Sequence, residues 1–354
     1  MTFRSFIIGL VSVLVVAGLI TAFTITRDGE QFTPNGRGEV SLEAGTFEAF
    51  PLPDYAAAFV TDDYKSYLVE VEPGIKIHVL EVGNGFPVYL QHGNPTSGFL
   101  YRKIAAGLKD DQVRLIMPTI VGLGFSSKIP TSYHTLDNHT RWMAKVLQQL
   151  QLSDLVYVGQ DWGGPIGMGA LALNPGLLKG AVILNTGLNA PTEAQNLSAP
   201  HALAKMPVLG ELMLEVLVSI FDMMPNTQSD PGSLPSEVLE LYSRPLAESG
   251  NSKAPLRLMR MVPDGPDHPS ASKMRVIEDY VVSLDIPAEI VWGMNDPILA
   301  KGLPTMKANF PDAPVIETSG GHFLQEEVPA EIVSVIRRVV RQVQERSATS
   351  SLVD

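Results

Sequence analysis

Three side chains, far apart in the chain, have the types needed to build and break an ester. The first is Asp161, in Gly159-Gln160-Asp161-Trp162-Gly163, directly after the apolar run Val156-Tyr157-Val158. An ionised carboxylate needs no base to activate it and can attack carbon directly, leaving an ester. The same five residues also suit an ordinary helix N-cap that follows a strand, and the turn alone leaves both readings open. The second is Asp296, in Met294-Asn295-Asp296-Pro297, and the third is His322, in Ser319-Gly320-Gly321-His322. Taken singly they read as a turn residue and a loop histidine. Together they supply a base to activate water and an acid to orient that base. A fourth stretch, His92-Gly93-Asn94-Pro95-Thr96-Ser97, offers backbone and side-chain amide donors, or is simply a Gly-Pro turn.

The elements that must carry these residues follow from periodicity. Tyr67–Val71 and Ile75–Val82 alternate apolar and polar residues as half-buried strands do, with Pro73-Gly74 turning the chain between them. His78 falls on the polar phase of its strand and is expected at the surface. Pro87–Gln91, Val113–Pro118, Val156–Gly159, Gly180–Asn185, Ile286–Gly293 and Ala313–Glu317 read as buried strands. Helical spacing runs over His134–Leu150, after the 156–159 strand, and over Pro329–Val343. His134, His139 and Trp142 belong to the first of these as packing residues. Strands alternating with helices predict an α/β class with a mostly parallel sheet covered on both faces. Asp161, Asp296 and His322 then each stand at the C-terminal end of a strand, in the chain order nucleophile, acid, base. That is the order and placement of the α/β-hydrolase fold, in which a Gly-x-Asp-x-Gly turn would be the nucleophile elbow.

Between Ala190 and Met274 the character changes to frequent prolines and a Leu-, Met- and Val-rich stretch at Leu203–Met224. This predicts an inserted helical cap with an apolar lining. The expected organisation is 1–27 an apolar N-terminal segment, 28–45 a polar linker and 46–189 the first part of the core. Residues 190–274 form the cap, 275–345 the second part of the core, and 346–354 a tail.

On these motifs the chain resembles the haloalkane dehalogenases of the α/β-hydrolase superfamily, over roughly residues 47–345. His92–Ser97 is similar to that family's loop, and Gly159–Pro165 to its elbow. Leu241-Tyr242-Ser243-Arg244-Pro245 and Arg260–Pro269 look like its cap segments. The resemblance implies Asp161 as nucleophile, His322 as base and Asp296 as the acid orienting it. It also implies the Asn94 amide and the Trp162 indole as halide ligands, and backbone N–H groups of Asn94 and Trp162 as the oxyanion hole. One subfamily draws its acid from the strand ending near Asn185; Asn185-Thr186 offers no carboxylate, so the match is to subfamilies pairing an Asn halide ligand with the later Asp. Pro118-Thr119 departs from the Pro-Asp usual among relatives.

The implied reaction turns a haloalkane into an alcohol and halide through an alkyl ester of Asp161, on a small apolar halogenated substrate, with no cofactor and no metal. An epoxide hydrolase would share the Asp nucleophile, but in that family two cap tyrosines donate to the opening oxygen, and Tyr242 is the only tyrosine between Ala190 and Met274. A non-catalytic binding protein on the same fold is a further alternative; it has no need of all three polar residues.

The bulk properties of the 354 residues agree with a globular enzyme: 45% hydrophobic, 18% charged. A net charge of −12 disfavours nucleic acid as a partner. With no cysteine there are no disulfides, thiolate metal sites or cysteine nucleophiles. Ser5 to Thr26 holds no charged residue, with Arg4 before it and Arg27 after. A run of that length is expected to anchor the chain in a membrane as a transmembrane helix, with the catalytic domain outside the cytoplasm; cleavage as a secretion signal is the alternative.

Overall fold

The computed structural model describes residues 22–23 and 25–350. Its centre is a ten-stranded sheet in the order β1-β2-β3-β4-β6-β5-β7-β8-β9-β10. The strands are β1 (Glu39–Leu42), β2 (Gly45–Ala49), β3 (Lys65–Glu72), β4 (Ile75–Val82), β5 (Phe86–Gln91), β6 (Val113–Pro118), β7 (Leu155–Gly159), β8 (Leu178–Ile183), β9 (Ala288–Gly293) and β10 (Val315–Thr318). From β1 to β6 neighbours run antiparallel; from β6 onward every pair is parallel.

The parallel half is buried on both faces, and β7, Leu155-Val156-Tyr157-Val158-Gly159, is buried throughout. Successive side chains of a strand point to opposite faces. Accordingly Val156 lies near Gly180 with Val339 and Val343 of the helix Pro329–Ser350, while the Tyr157 hydroxyl donates to the Gly163 carbonyl of the helix Gly163–Ala172. Leu136–Gln149 and Ala271–Val282 pack beside that second helix, and Arg102–Leu108 beside the first. The parallel sheet between two helical layers matches expectation.

Three local expectations do not survive, and the structure adds detail to a fourth, the helical cap. His78 is fully buried, because the loop after β6 folds over β4: Phe125 stacks edge-on to its ring at 5.4 Å, and Ser126 Oγ accepts from its backbone N–H. Burial holds that imidazole far down, at about 3, with nearby Lys128 lowering it further. Residues 39–42, expected within a linker, form edge strand β1, and Phe32 makes an antiparallel bridge with Lys128. The terminal helix runs on to Ser350, past the expected start of the tail at 346. The apolar cap stretch Leu203–Met224 is not one helix. It breaks at Pro207-Val208, where Val208 takes a φ of 66°, and continues as a π-helical turn over Leu212–Leu217. The expected N-terminal membrane segment lies almost wholly outside the described residues; among those described, no helix is long and apolar enough to cross a membrane.

Candidate active site

The elbow is built as its glycines require. Asp161 sits between β7 and the helix Gly163–Ala172 with a φ of 50°, a left-handed conformation rare for a residue with a side chain. Three hydrogen bonds hold it there. Its N–H donates to the Asn185 carbonyl at 2.8 Å, and its carbonyl accepts from Gly164 N–H at 3.0 Å and from the Thr186 hydroxyl at 2.6 Å. A Cβ on Gly163 would lie 2.1 Å from the Gln91 carbonyl oxygen, so only glycine lets the helix start so close to β5.

The loop after β5 closes over the elbow. Asn94 N–H donates to Asp161 Oδ1 at 2.7 Å. Gly93 makes that approach possible, since a Cβ there would fall 2.2 Å from Asp161 Oδ1. The loop is itself pinned by buried His92, whose Nε2 accepts from Ile120 N–H at 2.9 Å, and by the Tyr101 hydroxyl, which donates to the Gln91 carbonyl.

Asp296 and His322 come from the loops after β9 and β10. His322 Nδ1 lies 3.0 Å from Asp296 Oδ2, and His322 Nε2 lies 3.7 Å from Asp161 Oδ2. The imidazole thus stands between the two carboxylates, bonded to one and one short step from the other. Asp296 is buried, and its Oδ1 accepts from Ile298 and Leu299 N–H at 2.7 and 3.1 Å. Burial pushes its carboxyl up, but His322, the Ile298 N–H and the Asn185 amide outweigh that and hold it below the usual range. For His322, burial pulls the imidazolium down; the Asp296 carboxylate, its hydrogen bond and the Asp161 charge reverse this and leave the pKa raised. Both shifts have one origin, the paired charge.

Asp161, His322 and Asn94 open onto a cavity of about 460 Å³ between core and cap. Its cap wall is mainly apolar, with Ile220, Met223, Met224 and Met259. The chain from Pro87 to Pro329 matches the family model for the alpha/beta hydrolase fold, at residues 87–329. The chain belongs to the α/β-hydrolase fold family.

Within that family its relatives are distant. A cis-3-alkyl-4-alkyloxetan-2-one decarboxylase from Shewanella oneidensis is 30% identical over 282 residues, covering 76% of this chain and 86% of the relative. Haloalkane dehalogenase 2 from Mycobacterium bovis is 27% identical over 267 residues, 74% of this chain and 90% of that one. Among solved structures, the haloalkane dehalogenase DatA from Agrobacterium tumefaciens C58 superposes with a TM-score of 0.70 at 24% identity, covering 81% of this chain and 99% of that one.

This α/β-hydrolase brings Asp161, His322, Asp296 and Asn94 together. It places the other two expected donors less simply. The Asn94 side-chain amide donates to the Pro255 carbonyl of the cap at 3.1 Å, so what reaches Asp161 is its backbone N–H. Trp162, nearly buried, caps the helix Gly163–Ala172 next to Asp161. His134 and His139 lie apart from the cavity as a buried, stacked pair, with Nδ1 and Nε2 3.1 Å apart. Thr119, the departure from the usual Asp, accepts from Gly98 N–H through its hydroxyl.

Two residues of the site escape sequence reasoning. Asn185 was legible only as a missing carboxylate; its Nδ2 donates to Asp296 Oδ2 and to the Gly293 carbonyl, both at 2.9 Å. Gln160 Nε2 donates to the His322 carbonyl at 3.0 Å, so the residue preceding the elbow carboxylate also fixes the base.

Proposed function

We propose that this protein hydrolyses carbon–halogen bonds, converting haloalkanes into alcohol and halide through an alkyl ester on Asp161. The observation that carries this reading is Asp161 itself, a carboxylate in the left-handed elbow facing an apolar cavity, with His322 3.7 Å away on the same side. Asp161 attacks the halogen-bearing carbon from behind, and the carbon–halogen bond breaks as the ester bond forms. The second N–H of the Asn94 side-chain amide, whose first is held by the Pro255 carbonyl, and the indole N–H of Trp162 beside Asp161 are the donors proposed for the departing halide, acting strongly in a water-poor cavity. Water then attacks the ester carbonyl; His322 takes its proton, and Asp296 stabilises the resulting imidazolium. Ester formation also removes the negative charge of Asp161, one of the charges that raise the His322 pKa. Ester formation therefore favours the neutral, active form of the base, although the larger Asp296 influence remains.

An epoxide hydrolase is the weaker reading: no tyrosine lines the cavity, and Tyr242 is buried beside Arg102 and Glu326 instead. A second reading is favoured by the relative at 30% identity, a decarboxylase of four-membered lactones. There Asp161 would attack the alkyl-bearing carbon bonded to the ring oxygen, breaking that carbon–oxygen bond and releasing the ring oxygen as part of a carboxylate. Loss of carbon dioxide would then expel Asp161 and leave an alkene, with no water consumed.

The test supplies 1-bromobutane and a cis-3,4-dialkyloxetan-2-one in separate reactions. Bromide release that disappears in Asp161→Ala, with an alkyl adduct accumulating on Asp161 in His322→Phe, is the expected result. Carbon dioxide and alkene from the lactone, with no bromide, would replace the dehalogenase reading by the second one. From the apolar run between Ser5 and Thr26 we also propose a membrane anchor; the full chain should then resist alkaline carbonate extraction from membranes.

A further inference from the structure

The cavity has a second polar centre that the triad does not use. His201, on the cap helix Ala199–Ala204, lines the cavity together with Ser198, its preceding residue. Ser198 Oγ and His201 Nδ1 are 2.7 Å apart, a hydrogen bond that fixes the ring against its own helix. Ser198 engages Nδ1 alone, and no hydrogen bond of the described residues involves Nε2. The ring is near enough to Asp161 and His322 for both charges to act on it. Burial is the largest influence on it and lowers its pKa; the Asp161 charge opposes this, and His322 and Lys205 add to the lowering. The net effect favours the uncharged ring relative to a free histidine.

An uncharged imidazole has one N–H donor and one acceptor nitrogen. The 2.7 Å contact fits either tautomer; in the one where the Ser198 hydroxyl donates to Nδ1, the proton resides on Nε2 and that edge is a donor, and this is the tautomer taken here and read by the 15N measurement below. Of the other polar cap residues lining the cavity, Thr227 spends its hydroxyl on the Met224 carbonyl, and Asn226 is exposed. His201 is the one held by a side-chain hydrogen bond, to Ser198, which makes it a group for orientation rather than for general polarity. The sign of the charge narrows the ligand further. Asp161 and Asp296 are two carboxylates facing one histidine, so a substrate carboxylate would be repelled, whereas an ester or ether oxygen accepts a hydrogen bond without adding charge.

We infer that His201, set by Ser198, is a substrate-binding residue that recognises a neutral oxygen acceptor on an otherwise apolar substrate. The preferred haloalkanes are then those carrying an ester or ether oxygen along the chain, rather than plain alkyl halides. That preference rests on the dehalogenase reading; the binding of the oxygen does not.

The experiment therefore measures binding first, with ligands that cannot react. Full-length protein labelled with 15N-histidine is titrated with methyl hexanoate and, separately, with heptane, the His201 signals being those lost in His201→Gln. The ester is expected to shift the Nε2 resonance and heptane to leave it in place. In His201→Phe the ratio of ester to heptane affinity should fall about tenfold, the worth of one such hydrogen bond. His201→Gln, which keeps a side-chain N–H donor, should recover part of the ratio, and Ser198→Ala should lower it by a smaller factor. A silent Nε2 signal, or a ratio unchanged in His201→Phe, overturns the proposal. Bromide release from 2-bromoethyl butyl ether and 1-bromoheptane is followed in parallel. If neither bromide is released while the ester still binds through His201, the dehalogenase reading fails alone and the subsite stands.

Discussion

At the scale of single residues the site depends on charges that a pH titration can address. The free enzyme holds His322 as an imidazolium to higher pH than an isolated histidine, whose pKa is 6.5, because Asp296 and Asp161 flank it. Attack of water on the ester needs the neutral ring, so the rate of this step should fall on the acid side. Replacing Asp296 by Asn removes the chief influence that raises His322, so the acidic limb should move to lower pH. Turnover should fall on the order of a thousandfold, since the imidazolium loses its stabilising partner. A pH profile of single-turnover ester hydrolysis in both proteins reads this; an unmoved limb would separate Asp296 from the titration of His322. Asn185 acts on the same group from behind. Its side chain pairs with Asp296 and with both the N–H and the C=O of Gly293. Asn185→Leu leaves buried polar groups unpaired and should cost about 1–3 kcal/mol in urea unfolding. It should also let Asp296 take up protons more readily, which a titration of that carboxyl reads directly.

At the scale of elements, the strands were legible because apolar runs and alternation carry their own period. The elbow was legible only in company: its turn alone also suits a helix N-cap, and the order Asp161, Asp296, His322 at strand ends favoured the nucleophile. What period cannot show is who covers whom. His78 sits on the polar phase of β4 yet is buried, because Phe99 and Phe125, distant in sequence, close over it. The cap was legible only as a change in composition: Pro207, Val208 and Gly210 break its apolar stretch into turns that helical spacing does not anticipate. His201 and Ser198 had no signal at all, since their meaning depends on where the cap lands. The glycines of the elbow helix yield a graded prediction. A methyl at Gly163 meets the backbone carbonyl of Gln91, which is held in the sheet, whereas one at Gly164 meets the Thr186 side chain, which can turn away. Gly163→Ala should destabilise by about 1–3 kcal/mol or more and abolish ester formation. Gly164→Ala should be milder in thermal melting, its main loss being the Thr186 bond to the Asp161 carbonyl. Equal melting temperatures for the two variants would contradict this account of the junction.

At the scale of the whole molecule, core, cap and catalytic loop are tied at one buried ion pair far from the reacting atoms. Arg102, at the start of the helix after the Asn94 loop, makes two hydrogen bonds to Glu326, of 2.5 and 2.9 Å. Glu326 lies on the short helix Leu324–Glu327 that follows His322, and Lys103 bonds to it as well. Tyr242 of the cap helix Ser236–Glu248 is buried against both, and burial together with the Glu326 charge raises the pKa of its phenol. Three separate stretches thus converge on a pair whose side chains are almost wholly removed from water. Such pairs are weak sources of stability but costly to break, because a lone charge is left without water. Glu326→Leu should therefore lose about 3–5 kcal/mol in urea unfolding. The joint replacement Arg102→Met with Glu326→Leu should recover much of that loss, since no charge is stranded. Because the pair also fixes the turn that carries His322, the double variant should regain stability without regaining full ester hydrolysis. If both properties return together, the pair serves only folding. If stability returns alone, the ion pair is what holds the base in register with Asp161, and the distance between His322 and the elbow depends on the turn that Glu326 anchors.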